Sequence, residues 1–410
     1  MRNSMVKAIL SDRRLRFLLL AALVGAAPLA AQTITFDPHL DLPKSALTPG
    51  WTGRDDPTSQ FDLVRARSGG LTSAAIALFV AQGARDAASL ATAWADLQLR
   101  DAAIHAIAQR NPKLAAIALS PADLRRIVAS GRFALVESLL NAWPLGEDLD
   151  GFDRLYARGV RIAGFVHAGN NQFADSSRPA LPLGDRPGEN GGLSPLGQRA
   201  VKRLNDLGIL IDVSQLSDAA FDQVLKLSRA PVIASHSDLR SLVDNSRNLT
   251  DAQLDALKVN GGVIAINAFS AYLRARSPAT LKAVAALNTE FGLVPGAPPI
   301  SPERRADYDR RYHDIVGKEP KAGVADLVTA VDYAVKRIGI DHVALSTDFN
   351  HGGGLVGWAD VGETRNVTAE LKRRGYDDAR IAKLWGGNVL RVWQTAIDRR
   401  DPAYRPAAAR

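Results

Sequence analysis

Short β-branched or apolar runs alternate along the chain with longer stretches in which apolar residues recur at helical spacing. The strand-like runs fall at 33–36, 71–80, 132–137, 160–167, 209–213, 231–235, 262–268 and 342–347. Eight such runs separated by helical segments predict an α/β chain closed into a TIM-like (β/α)8 barrel. One connecting helix can be read in detail. Ser194 is an N-cap and Pro195 the first helical residue; Leu196, Ala200, Val201, Leu204 and Leu207 share a face, and Gly208 is the stop. An open doubly wound sheet is the competing fold, but no glycine-rich phosphate loop follows the first strand.

Two segments break the alternation. Residues 176–192 are rich in Pro and Gly, and 271–323 form a long charged insertion between the last two strands, containing Pro295, Pro298 and Pro299. Each is expected to be a loop or lid at the barrel mouth rather than a separate domain. The expected organisation is one hydrolase domain over 32–400 and a C-terminal tail over 401–410, with the basic residues Arg399, Arg400 and Arg405 around it read as a solvated end.

The first residues carry a different pattern. A basic stretch (2–16), an apolar run (17–27) and small residues (26–31) predict a signal peptide over 1–31, its apolar part short for a membrane span, with an uncleaved membrane anchor as the competing reading. The expected product is periplasmic or secreted. Cleavage would lower the formal charge from +8 to +4, so nothing calls for a nucleic-acid partner. The chain has no cysteine, which excludes disulfides, thiol nucleophiles, lipidation at a cysteine and thiolate metal sites. A bound metal must therefore be held by nitrogen and oxygen.

The ionisable residues then acquire a pattern. His39 and Asp41, at i and i+2, project from one face of an extended strand. Glu137 and His167 end the third and fourth predicted strands, while His236 and Asp348 follow the sixth and eighth. In a parallel barrel these positions share the C-terminal rim, where side chains from distant segments can meet around one ion. The spacing predicts a metal-dependent hydrolase. His342 opens a strand at the other end, and His105 and His313 lie in helical or insertion segments with no claim on the rim. Asp212 is a candidate for orienting a ligand, and His351 a further candidate at the rim.

The segments Phe36-Asp-Pro-His-Leu-Asp-Leu-Pro43, His167-Ala-Gly-Asn-Asn-Gln-Phe-Ala-Asp175, Gly208-Ile-Leu-Ile-Asp-Val-Ser214 and Pro231-Val-Ile-Ala-Ser-His-Ser237, with Arg247-Asn248, Asp348-Phe349 and Gly386-Gly-Asn-Val-Leu-Arg391, occur in the order found in a known family. From about residue 33 to 393 the chain resembles the membrane (renal) dipeptidases, binuclear zinc barrels of the amidohydrolase type. The resemblance implies that His39 and Asp41 bind the first metal, Glu137 bridges, and His236 binds the second. It further implies that His167 and Arg247 hold substrate and that Asp348 handles protons. A zinc-dependent dipeptidase acting through metal-activated hydroxide on small dipeptides is the expectation, with a homodimer left open. Three departures stand out. Gln215 replaces a histidine ligand of the second metal, which weakens that site. Ser138-Leu139 follows Glu137 in place of a glycine pair, with Glu147 a distant alternative, and Asn350-His351 replaces an acidic residue and glycine. One or two zinc ions, the second weakly held, fit this reading. The competing readings are another amidohydrolase reaction (lactam, lactone or N-acyl hydrolysis) and a non-hydrolytic homologue whose second site has decayed at Gln215.

Overall fold

The computed structural model describes residues 34–407; the expected signal segment lies outside the described residues. All eight predicted strands are present: β1 Phe36–Asp41, β2 Ser73–Leu78, then, after a short addition, β4 Phe133–Leu139, β5 Val160–Ala163, β6 Leu210–Ile211, β7 Ile233–Ser237, β8 Val263–Asn267 and β9 Val343–Ser346. The addition, β3 Ala115–Ile117, pairs only with β4. The first strand begins later than its apolar signal suggests and runs through Asp41. His39 and Asp41 thus belong to the strand rather than follow it.

All pairings are parallel, in two sheets ordered β1-β2-β4-β5-β6 and β7-β8-β9. Two narrow seams join them into a closed barrel. At one, Asp212 bridges to Ile233 and the Val213 N–H donates to the Ile233 carbonyl at 2.8 Å. At the other, the Asp348 N–H donates to the His39 carbonyl and the Asp41 N–H to the Phe349 carbonyl, each at 3.0 Å. Asp37 pins this second seam, accepting from the Thr347 N–H at 3.2 Å and from the Thr347 hydroxyl. Burial raises its pKa to about 6 despite those donors.

Alternation along the strands divides the apolar residues into two layers. Phe36, Ala75, Ala134, Val136, Ile162, Ile233, Ala265 and Ala344 fill the barrel interior together with Val389, Val392 and Trp393 of the C-terminal helix Asn388–Asp398, which packs into the same cluster. Leu78, Leu135, Leu139, Ile264 and Leu345 face outward against the surrounding helices. The helix Pro195–Leu207 has its expected ends: the Ser194 hydroxyl accepts from the Gly197 N–H at 3.0 Å, and Gly208 takes φ 74°.

The 271–323 insertion is mostly helical, with helices Pro278–Glu290 and Pro302–Val316 packed around Leu287, Phe291 and Leu293. Its Tyr312, His313 and Val316 line the main cavity. The tail is less solvated than its charge suggests. The Tyr404 hydroxyl donates to Asp153 at 2.7 Å and its ring lies under the Arg203 guanidinium, 5.4 Å away. Among the described residues no helix is long and apolar enough to cross a membrane.

Candidate functional site

The site forms where β1 meets the segment after β9. Pro38 has no N–H to donate, and the pairing of β1 with β2 slips between Asp37 and Leu40. The Asp37 carboxylate stabilises this kink by accepting from the His39 N–H at 3.1 Å. Beyond it Leu40 joins the outer apolar layer while His39 and Asp41 meet inside. His39 Nε2 lies 3.3 Å from Asp41 Oδ2 and 3.8 Å from Asp348 Oδ1; His351 Nδ1 lies 3.4 Å from Asp41 Oδ2. The His39 ring stacks on His236 with centroids 3.8 Å apart, and His167 stacks on His351 at 4.8 Å. Above them opens a cavity of about 550 Å³ whose wall includes His167, Arg178, Gln215, Tyr272, Asp348 and His351.

The electrostatics of this group favour a cation. Burial opposes a charge on His39, yet Asp41 and Asp348 outweigh it and lift its pKa to about 9. Burial likewise opposes the Asp41 charge, but His351 and His39 hold it well below the usual carboxylate range. His39 Nε2 and Asp41 Oδ2 are buried without a hydrogen-bond partner. One donor atom each from His39, Asp41 and Asp348 lies within 4.8 Å of the other two. Carboxylates that draw a proton onto a buried imidazole would be satisfied equally by a metal ion, which displaces that proton. These residues fit one ion.

Backbone strain is concentrated here. Among the described residues the non-glycine positions with positive φ are Gln215 (74°), Asp348 (55°) and Asn350 (65°), all beside the two seams. Asn350, one of the departures in sequence, is held by its side chain. Its Oδ1 accepts from the Gln60 N–H at 2.9 Å and its Nδ2 donates to the Asp41 carbonyl at 2.9 Å. Asparagine tolerates the left-handed conformation better than most residues. Gly353 is required nearby, because a Cβ there would lie 2.0 Å from the Thr347 carbonyl oxygen.

The reading of Glu137 as a bridging ligand is corrected by its placement. Ala134 and Val136 point into the barrel, so Ser138 is the next inward residue and Glu137 faces the helices with Leu135 and Leu139. Its Oε1 lies 3.1 Å from His105 Nε2 on the helix Ala87–Arg110, and Asp101 of that helix accepts from Arg158 Nε at 2.7 Å. Gly159, at φ 138°, makes room: a Cβ there would sit 2.9 Å from Glu137 Oε2. Burial raises the Glu137 pKa, and Glu137 in turn raises that of His105. Glu147 is on the surface-exposed side of the same loop region and joins no ionisable cluster. The parity of the strand, counted from its apolar residues, was the available signal for this.

The remaining candidates are brought to the rim. Burial keeps the pKa of both His167 and His236 well below the usual imidazole value. Gln215 Nε2 approaches His236 Nε2 at 3.0 Å, and Ser235 links His236 Nδ1 (2.7 Å) to Asp212 Oδ2 (2.5 Å). Arg247 is buried behind Tyr272, with its guanidinium 5.2 Å over that ring, Nη2 donating to the His236 carbonyl at 2.8 Å, and Nε unpartnered. His342 bonds the Gly262 carbonyl at 2.8 Å, at the far end of its strand. Two residues escaped the sequence reading. Arg178, in the Pro/Gly-rich segment, donates to Gln215 Oε1 at 3.0 Å and approaches His167 Nε2 at 3.4 Å. Asn267 donates to Asp348 Oδ2 at 3.3 Å. A loop arginine carries no periodic signal, and Asn267 resembles any polar strand end.

The probable dipeptidase PvdM from Pseudomonas aeruginosa is 46% identical, with a TM-score of 0.85 over 90% of this chain and 96% of that one. Dipeptidase tcpJ of Claviceps purpurea is 30% identical over 277 residues, 67% of this chain and 54% of that protein. A second fungal relative, dipeptidase verJ of Clonostachys rogersoniana, is matched over 62% of its length, so this chain spans about half to three-fifths of these curated relatives. A metallo peptidase from Rhodobacter sphaeroides liganded with a phosphinate mimic of L-Ala-D-Ala shares the fold at 23% identity, with a TM-score of 0.71 over 89% of this chain and 99% of that one. The model of the membrane dipeptidases, peptidase family M19, matches residues 24–405, and the chain belongs to that family.

Proposed function

We propose that the chain is a zinc-dependent dipeptidase, exported to the periplasm or beyond, that hydrolyses the peptide bond of small dipeptides. The observation that carries this reading is the cation-seeking set His39, Asp41 and Asp348 beneath a cavity whose wall also presents the Arg178 guanidinium, which no carboxylate reaches within 4.0 Å among the described residues. His39 and Asp41 would hold the ion. When bound, it supplies Lewis-acid polarisation of the scissile carbonyl and lowers the pKa of water.

The protein's own groups account for the rest. Arg247 has an unpartnered Nε, is held by the His236 carbonyl and Tyr272, and is suited to a substrate carboxylate. As water adds to the carbonyl carbon, Asp348 takes one of its protons, oriented by Asn267 at 3.3 Å. The carbonyl electron pair moves to oxygen, where His167 on the cavity wall stabilises it. The C–N bond then breaks as Asp348 returns the proton to nitrogen, leaving a carboxylic acid and a free amine.

The test is turnover of a dipeptide panel by the purified mature chain, before and after chelation, with zinc restored. Hydrolysis that is lost with metal and regained with zinc is expected. A zinc-loaded, folded chain that cleaves no dipeptide would overturn the reading.

A further inference from the structure

We propose that Arg178, acting through Gln215, closes the position of a second metal ion and supplies a fixed positive charge there, so that the centre holds a single ion. This rests on the metal-site reading above, and it follows from the direction of four hydrogen bonds.

A guanidinium only donates, so Gln215 Oε1 is the acceptor in its 3.0 Å contact with Arg178 Nη2. That fixes the amide orientation and turns Gln215 Nε2 toward His236 Nε2, 3.0 Å away. An amide nitrogen also only donates, so the His236 Nε2 lone pair accepts. The ring proton is therefore on Nδ1, which donates to the Ser235 hydroxyl at 2.7 Å, and that hydroxyl donates to Asp212 Oδ2 at 2.5 Å. Every polar atom of the His236 ring is committed. The lone pair that a metal would need already holds a proton donor.

Two further observations agree. First, among the described residues no carboxylate lies within 4.0 Å of the Arg178 guanidinium, and its buried Nε has no partner. A divalent ion beside Gln215 would face that uncompensated cation with the neutral Gln215 and His236; the nearby Asp212 carboxylate is already held by the Ser235 hydroxyl and N–H. Second, Glu137, the expected bridge, faces the helices, and the inward position on β4 is Ser138, whose buried hydroxyl is unpartnered. His39, Asp212 and His236 also bring three ligand atoms within 4.8 Å, but that group shares His39 with Asp41 and Asp348, so the two compete for one imidazole and do not make two complete sites.

The test is metal content after dialysis against dilute zinc, read by elemental analysis and independent of turnover. Wild type is expected to retain one zinc per chain. His236→Ala should retain the same amount, while His39→Ala should bind at least tenfold more weakly. Two tightly held ions in wild type, or loss from His236→Ala matching that from His39→Ala, would overturn the proposal. Should His236→Ala fail to fold, ¹⁵N NMR of the wild-type imidazole gives an independent reading. The proton is expected on Nδ1, and a proton on Nε2 would end the argument. A chain that binds one zinc but cleaves no dipeptide would sink the dipeptidase reading while leaving this one intact.

Discussion

Of the three groups of possible metal ligands among the described residues, two that do not overlap invite comparison: His39 with Asp41 and Asp348 inside the rim, and His105 with Asp101 and Glu137 beneath the outer helices. Each gathers three ligand atoms within 4.8 Å. Their electrostatic situations differ. In the outer cluster Arg158 meets Asp101, and His105, partly open to solvent, meets Glu137, so its charges are balanced within the fold. In the inner cluster the ionisable groups that approach Asp41 and Asp348 are histidines, and no lysine or arginine lies within ion-pair distance of either among the described residues. Proximity of ligands is therefore a weak criterion. An unanswered charge in a buried place is a stronger one, because its desolvation cost demands a counter-ion from outside.

That contrast can be broken most directly at the rim. His39→Ala or Asp41→Ala is expected to lower kcat/KM for dipeptides by roughly a thousandfold with little loss of Tm. Unchanged kcat/KM would move the chemistry elsewhere. Next in size, Arg247→Ala should raise KM about a hundredfold for dipeptides with a free C-terminal carboxylate, the value of a lost bidentate ion pair, while sparing C-terminal amides. An equal effect on both substrates would remove Arg247 from carboxylate recognition.

The outer cluster sharpens the comparison from the other side. Glu137→Ala leaves His105 and Arg158 undercompensated and is expected to cost about 2 kcal/mol in urea unfolding, discounted for the exposure of His105. The kcat of the folded variant should stay within twofold of wild type, whereas a bridging ligand would lose activity as His39 does. The smallest effect is on pH dependence. Glu137 raises the His105 pKa above its ordinary 6.5, so the stabilisation is complete below that value and is lost as the pH rises through the folded value. The difference in Tm between wild type and His105→Gln should therefore be widest at acid pH and narrow as the pH rises. A gap that widened with pH would contradict the ion pair.

Much of the fold was legible because its signals are local. The capped helix after Ser194 has its N-cap, N1 proline and C-terminal glycine within 15 residues, and the structure shows each in place. Strand existence was equally clear, since parallel strands buried on both faces read as continuous apolar runs. Side-chain direction was less so. Glu137 follows the inward Val136, so strand alternation turns its side chain to the helices and away from the rim. Arg178 was illegible for a different reason: its partners Gln215 and His167 are brought to it by loop geometry that no periodicity encodes.

The amino-acid order alone determined the alternation of strands and helices, the exclusion of sulfur ligands, and the recurrence of His39, Asp41, His236 and Asp348 near strand ends. Those properties depend on composition and on spacing over a few residues. Only the tertiary structure decided which face each group took, which charges were already neutralised, and which lone pairs were already committed. Those outcomes depend on neighbours far apart in the chain, and a one-residue change of parity in a strand is enough to reverse them.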